Sequence, residues 1–367
     1  MKKPFIDFYT QIGFAPTGQL FGNQDKHREN RSNLYRKLGL HPKVLEGSTV
    51  LEIGPGSGEN SIDLLARGIK SLKLVDGVPA VLESLQSRIS GHTPVTYELY
   101  DASMLPPKRE TFDIVICEGV IPLQLSPGDF FRNVSTSVAQ GGILLVTTFD
   151  SISGLSEILR RIIATRFILH DKLTFNDLEV FFQKDFDALR GMTRTARNWL
   201  LDSVANPWIG DLFSLEDAIS SSHPDFRPIS MTPNLHLDLN WYKNYNVNSV
   251  EKTEWINSYN SKCHQLIDYR FEARTFPKIE DNLVLRSLCT DVFLEMQKLS
   301  STNLEFSISI ICELLDRILK ECNQVDNLTK LALSSFIRFM ETDEVAELTE
   351  FRPFWGRGQQ YICFQKD

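Results

Sequence analysis

No two of the six cysteines stand in a C-x-x-C pair, so a zinc ribbon or redox dithiol has no support and no metal is expected. They are Cys117, Cys263, Cys289, Cys312, Cys322 and Cys363, and several fall in apolar periodic segments, where a free thiol behaves as a small hydrophobe. That usage suits a reducing compartment, and a cytoplasmic location is expected. No run of about 18 apolar residues occurs, so no membrane-crossing helix is expected. Met1-Lys2-Lys3 could open a signal peptide, but Pro4, Asp7 and Gln11 interrupt what would be its apolar stretch. An excess of positive charge is also missing, since the formal net charge is −8. A nucleic-acid partner favours a basic patch, so none is expected here. Internal repeats and low-complexity linkers are absent. What remains is an ordinary globular balance, 42% hydrophobic and 23% charged, with ample material for a core.

Residues 49–149 alternate between strand and helix patterns. Thr49–Ile53, "LKLVDG" (72–77), "VTYELYDAS" (95–103), "FDIVICEGV" (112–120) and "GGILLVTTFD" (141–150) read as strands. Glu59–Arg67, Pro79–Ile89 and Phe130–Val138 carry helical spacing between them. Near-continuous apolar strands alternating with helices predict a parallel sheet covered on both faces, an α/β fold. After Asp150 helical periodicity takes over, and "GRGQQYICFQK" (356–366) closes the chain as a strand. The pattern predicts an N-terminal helical cap (1–48), a core (49–150) and a helical lid insertion (151–228). A core continuation with a helix and a sixth strand (229–255), a second helical insertion (256–350) and a last core strand (351–367) follow. Both insertions are expected to cover the crevice at the carboxyl ends of the strands.

The stretch "VLEIGPGSGENSIDLLARG" (50–68) places Gly54, Gly56 and Gly58 at alternate positions between a strand and a helix. Glycine lets the backbone turn tightly and approach a ligand, and the following helix N-terminus, near Ser57, faces the same crevice. In an open α/β sheet that crevice is the expected ligand site. The spacing is G-x-G-x-G, one residue short of the dinucleotide fingerprint G-x-G-x-x-G. Glu52, two residues before the first glycine, would repel a pyrophosphate and welcome a cationic group. Asp76 and Asp101 end the second strand and follow the third.

"LEIGPGSG" resembles the first motif of the class I S-adenosylmethionine-dependent methyltransferases. The resemblance implies a Rossmann-like seven-stranded sheet with a reversed last strand, here carrying large helical insertions. It implies S-adenosyl-L-methionine as cofactor, with Glu52, Gly54, Gly56, Ser57 and Gly58 against its amino-acid part. Asp76, followed by Gly77, matches the acid that holds the ribose hydroxyls. Asp101, followed by Ala102, matches the acid facing the adenine amine. Cys117, Glu118 and Gly119 match the region beside the reacting methyl. The order of elements, with "RENRSNLYRKLGL" before the first strand, also resembles bacterial methyltransferases of uncharacterised acceptor.

A hydroxyl acceptor needs a base. Glu118, His236 and His27 are the candidates. Each also has a structural reading: a loop contact, a helix-start histidine and a solvated helix face. Arg190, Arg194 and Arg197 recur at spacings of three and four, which predicts one helix face able to grip an anionic acceptor. The expected activity is methyl transfer to oxygen or nitrogen of a small-molecule or sugar-linked acceptor. A nicotinamide-dependent oxidoreductase and a cofactor-binding protein without catalysis are the alternatives.

Overall fold

The computed structural model describes residues 4–18, 24–89, 94–100, 111–171, 173–189, 191–208, 210–238, 241, 243, 250–273, 276–300 and 303–367. Three helices precede the sheet: α1 (Pro4–Ile12), α2 (Gln24–Lys37) and α3 (Pro42–Leu45). Then β1 (Thr49–Ile53), β2 (Ser71–Asp76), β3 (Val95–Leu99), β4 (Phe112–Cys117) and β5 (Val138–Thr148) run in parallel. Helices α4 (Glu59–Leu65) and α5 (Pro79–Arg88) follow β1 and β2, and α6 (Pro127–Ser135) lies between β4 and β5. Two more strands, β6 (Phe226–Thr232) and β7 (Gln360–Lys366), complete a seven-stranded sheet of order β3-β2-β1-β4-β5-β7-β6. β7 enters antiparallel between β5 and β6, the reversed last strand that the resemblance implies.

Period-two alternation divides the side chains of β1 between two cores. Val50 joins Leu64, Leu82, Leu85 and Tyr35 on one face, while Leu51 and Ile53 join Phe131, Val134 and Ile158 on the other. The second face is the thicker one. There α7 (Ser151–Arg166), α8 (Phe175–Ala188), α9 (Ala196–Trp199) and α10 (Leu215–Ser221) follow β5. After β6 come α11 (Val250–Lys262), α12 (Ile279–Lys298), α13 (Leu304–Glu321) and α14 (Asn327–Thr342). α7 is buried along nearly its whole length because α12 packs on it from outside. Its Arg160 is fully enclosed, bonded to Asp185 (3.1 Å) and to the carbonyls of Phe354 and Arg352, with its guanidinium over the Trp355 ring.

Two expectations are corrected. The sixth strand lies at Phe226–Thr232, before most of the segment 229–255 assigned to it. "FRPISMT" contains Pro228, which argues against a central strand. Here β6 is the sheet edge, pairing with β7 alone, and an edge tolerates proline. The second helical insertion also does not cover the crevice: none of the described residues from α11 to α14 lines the cavity there. No helix among the described residues is long and apolar enough to cross a membrane.

Candidate active site

A cavity of about 1150 Å³ opens at the carboxyl ends of β1, β2 and β4. β1 carries Glu52 and Ile53 into the glycine loop, whose Gly54, Gly56 and Gly58 have φ of +68°, +55° and +84°. These are left-handed conformations that a side chain would strain. A Cβ on Gly54 would fall 2.3 Å from Val120 Cγ2, and one on Gly56 would fall 2.5 Å from Thr17 Oγ1. The loop therefore requires glycine on both counts. Gly58 serves differently: it is the N-cap of α4, packed under Leu85, and does not line the cavity.

Glu52 is buried and accepts a 2.6 Å hydrogen bond from Ser61 Oγ. Burial pushes its carboxyl up to about 7. Asp76 Oδ1 accepts from the Val78 amide at 2.8 Å, and burial pushes that carboxyl up to about 6. Both acids line the cavity. Desolvated carboxyls of this kind favour a ligand that brings positive charge or hydrogen-bond donors.

A carboxyl whose folded pKa exceeds its unfolded value makes the fold bind more protons than the unfolded chain. Glu52 therefore destabilises the ligand-free fold as pH rises from its ordinary value of 4.5 to about 7. Glu52→Gln should gain melting temperature on the wild type across that window and hold the gain above it. Each tenfold loss of proton affinity on unfolding corresponds to about 1.4 kcal/mol. Parallel melting curves at several pH values check this, and a constant difference would contradict it.

α2 brings His27 and Arg31 to the cavity, and Tyr35, four residues on from Arg31, lies behind them in the core. Arg31 grips Glu118 with both ends of its fork, Nη1 donating to Oε2 at 3.0 Å and Nη2 to Oε1. Nη2 also donates to Tyr35 Oη at 2.9 Å. Tyr361 Oη, from β7, donates to Glu118 Oε2 at 3.2 Å. Both Glu118 oxygens are thus occupied. Glu118, a candidate base, stands in the cavity wall, where these bonds anchor it between α2, β4 and β7. Arg31, Tyr361 and Thr17 are residues of the cavity wall that motif reading misses. Thr17 Oγ1 accepts from the Ser57 amide at 3.0 Å, which holds the N-terminal segment on the glycine loop.

Gly77 lines the cavity beneath Ile6, and the Gly119 amide donates to Thr147 Oγ1 at 2.7 Å. Cys117 is corrected from the site to the core: it is fully buried, and burial pushes its thiol up. Asp101, Ala102 and Arg190 lie outside the described residues. His27 lines the cavity. His236 does not; its ring stacks on Trp255 at 4.2 Å, and Nδ1 lies 3.1 Å from Ser258 Oγ. The common arginine face is also corrected. Arg194 precedes α9 and pairs with Asp202 in the cavity wall, whereas Arg197 is on α9, pairs with Glu179 at 3.0 Å and does not line the cavity. Arg194 lies in the non-helical stretch 191–195, so it shares no helix face with Arg197. Among the described residues no group of three His, Cys, Asp or Glu side chains is arranged to hold a metal.

Residues 51–146 match the family model described as a methyltransferase domain. This stretch runs from β1 to β5 and includes Glu52, the glycine loop, Asp76 and Glu118. It is therefore a methyltransferase domain, and S-adenosylmethionine is the cofactor such a domain implies. The tRNA U34 carboxymethyltransferase of Hahella chejuensis is 28% identical over 130 residues, 35% of this chain and 40% of that one. The tRNA U34 carboxymethyltransferase of Campylobacter curvus is 25% identical over 158 residues, 42% of this chain and 49% of that one. The chain thus spans less than half the length of these curated relatives. Among solved structures, the N-methyltransferase NodS of Bradyrhizobium japonicum is 18% identical, with a TM-score of 0.32 over 39% of this chain and 74% of that one. The magnesium protoporphyrin IX methyltransferase of Synechocystis is 18% identical, with a TM-score of 0.32 over 40% and 70%.

The curated relatives overturn the expectation that nucleic acid is excluded, since their names carry a tRNA substrate. The net charge of −8 averages over the whole chain. It says nothing of the charge around one cavity mouth.

Proposed function

We propose that the chain is an S-adenosylmethionine-dependent methyltransferase whose acceptor enters the cavity beside the glycine loop. The observation that carries this reading is the convergence of Glu52, the loop residues Gly54, Gly56 and Ser57, and Asp76 on one cavity wall. The residues fit the cofactor. Asp76 offers a carboxylate to two ribose hydroxyls, a natural bidentate arrangement. Glu52 offers negative charge to an ammonium, and side chains at Gly54 and Gly56 would collide with Val120 and Thr17, which keeps the loop bare beside the cavity. When bound, S-adenosylmethionine supplies an electrophilic methyl group on a sulfonium. The chain's own part is to hold an acceptor in line with that methyl and to exclude water from it.

The tRNA-modifying names of the curated relatives favour a tRNA base as acceptor. A small molecule methylated on oxygen or nitrogen is the second reading. It is favoured by the way the cavity continues between α1 and residues 191–208. S-adenosylhomocysteine at 100 times its dissociation constant should add about 2.7 kcal/mol of stability, visible as a raised melting temperature. NAD should not. A shift with NAD and none with the sulfur nucleotide rejects the methyltransferase in favour of the oxidoreductase.

A further inference from the structure

Beyond the glycine loop the cavity reaches a wall built by α7 and by residues 191–208. Glu157 stands in that wall. Its carboxylate accepts no hydrogen bond and makes no ion pair among the described residues, yet charged groups surround it. Arg161, four residues on, would be the ordinary helix partner of a glutamate. Its guanidinium is turned instead to the carbonyl (2.7 Å) and side-chain oxygen of Asn206, and lies 4.9 Å above the Trp208 ring. Arg160 points away to Asp185 and Trp355. Arg194 is taken by Asp202, which also accepts from Tyr9 Oη at 2.9 Å.

Each of these three arginines thus has another partner among the described residues. Burial, and secondarily the charge of Asp202, push the Glu157 carboxyl up, while the arginines oppose them. Glu157 is half-buried and faces the cavity, so its carboxylate is an acceptor that no described protein group has taken and that an entering ligand would meet. Two further features mark the same wall. Asp202 and Ser203 sit in a π-helical segment, Leu200–Ala205, a rare geometry frequent at functional sites. Phe149 and Trp208, with ring centroids 5.0 Å apart and planes tilted by 48°, stand in the same wall, Trp208 the more open of the two.

We propose that this wall is the acceptor chamber, and that Glu157 accepts a hydrogen bond from an N–H or O–H group of a ring-shaped acceptor lying against Trp208. The inference rests on the methyltransferase reading and names the chemistry that the acceptor must present. A tRNA base and a free ring-bearing metabolite both offer it, so the experiment separates them.

Full-length wild type, Glu157→Gln and Glu157→Asp are each incubated with methyl-labelled S-adenosylmethionine and either total tRNA or a nucleic-acid-free metabolite extract. Calorimetry with S-adenosylhomocysteine and melting curves run alongside. The expected result is wild-type labelling in one arm and a loss of about tenfold or more in Glu157→Gln, carried mainly by the acceptor KM. Glu157→Asp should recover part of it. Product affinity should stay within about twofold, and the melting temperature of Glu157→Gln should be equal or higher. Unchanged transfer in Glu157→Gln overturns the proposal. So does a fall in melting temperature or product affinity that matches the lost transfer, because Glu157 would then serve the fold or the cofactor. Wild type that binds the product but labels neither arm also overturns it. Wild type that fails to bind the product removes the methyltransferase reading, and the acceptor chamber with it.

Discussion

Replacing Asp76 by alanine is expected to weaken S-adenosylhomocysteine binding by about 1.5–3 kcal/mol, the scale for hydrogen bonds to a charged group. That is a loss of roughly 10- to 150-fold in affinity. The reason is positional. Asp76 ends β2 beside β1, so its carboxylate meets whatever the glycine loop holds. The only bonds it makes in the described fold are to the backbone just after it, led by the Val78 amide. The ligand-free fold should therefore survive the substitution. Because burial raises this carboxyl to about 6, removing it also removes a desolvation cost at neutral pH. Calorimetry on the variant reads the affinity and a melting curve reads the fold. Undiminished affinity would show that the acid after β2 does not touch the cofactor.

Replacing Arg31 by methionine is expected to destabilise the protein by about 3–5 kcal/mol, the scale for stranding one partner of a buried ion pair. The side chains of Arg31 and Glu118 are only 8% and 14% exposed, so water rescues neither charge. The pair joins three distant parts of the chain: α2, the end of β4, and β7 through Tyr361. Adding Glu118→Gln to Arg31→Met should return part of the loss, because no unpaired carboxylate then remains. Urea unfolding of the two single variants and the double variant measures this. Additive losses would mean that the two residues do not act as a pair.

These two residues show how unevenly the site is legible in the chain. Asp76 announces itself, as an acid closing an apolar run after a glycine loop. Arg31 does not. Nothing in "DKHRENRSNLYR" separates it from Arg28 and Arg36, which are exposed on the same helix while Arg31 is buried. The motif puts Glu118 beside the loop, where it stands, but its chemistry is not readable there. Whether a carboxylate can take a proton depends on who already occupies its oxygens, and Arg31 and Tyr361 come from 87 and 243 residues away. In the sequence Glu157 looks like an ordinary i,i+4 partner of Arg161. Only the turn of Arg161 toward Asn206 shows that it is not.

The sequence alone determined the elements whose signals are local. Apolar runs produced β1 to β5, G-x-G-x-G produced the left-handed loop, and a glycine-flanked apolar segment produced β7, because strand burial and positive φ depend on the residues at those positions. Tertiary structure decided what depends on neighbours remote in sequence. It placed β6 on an edge where Pro228 is allowed, sent α11–α14 behind α7 instead of over the crevice, and removed Cys117 and His236 from the cavity. Pairing and desolvation are properties of three-dimensional surroundings. The charges of Glu118 and Glu157 therefore acquire their separate roles only when the helices close around them.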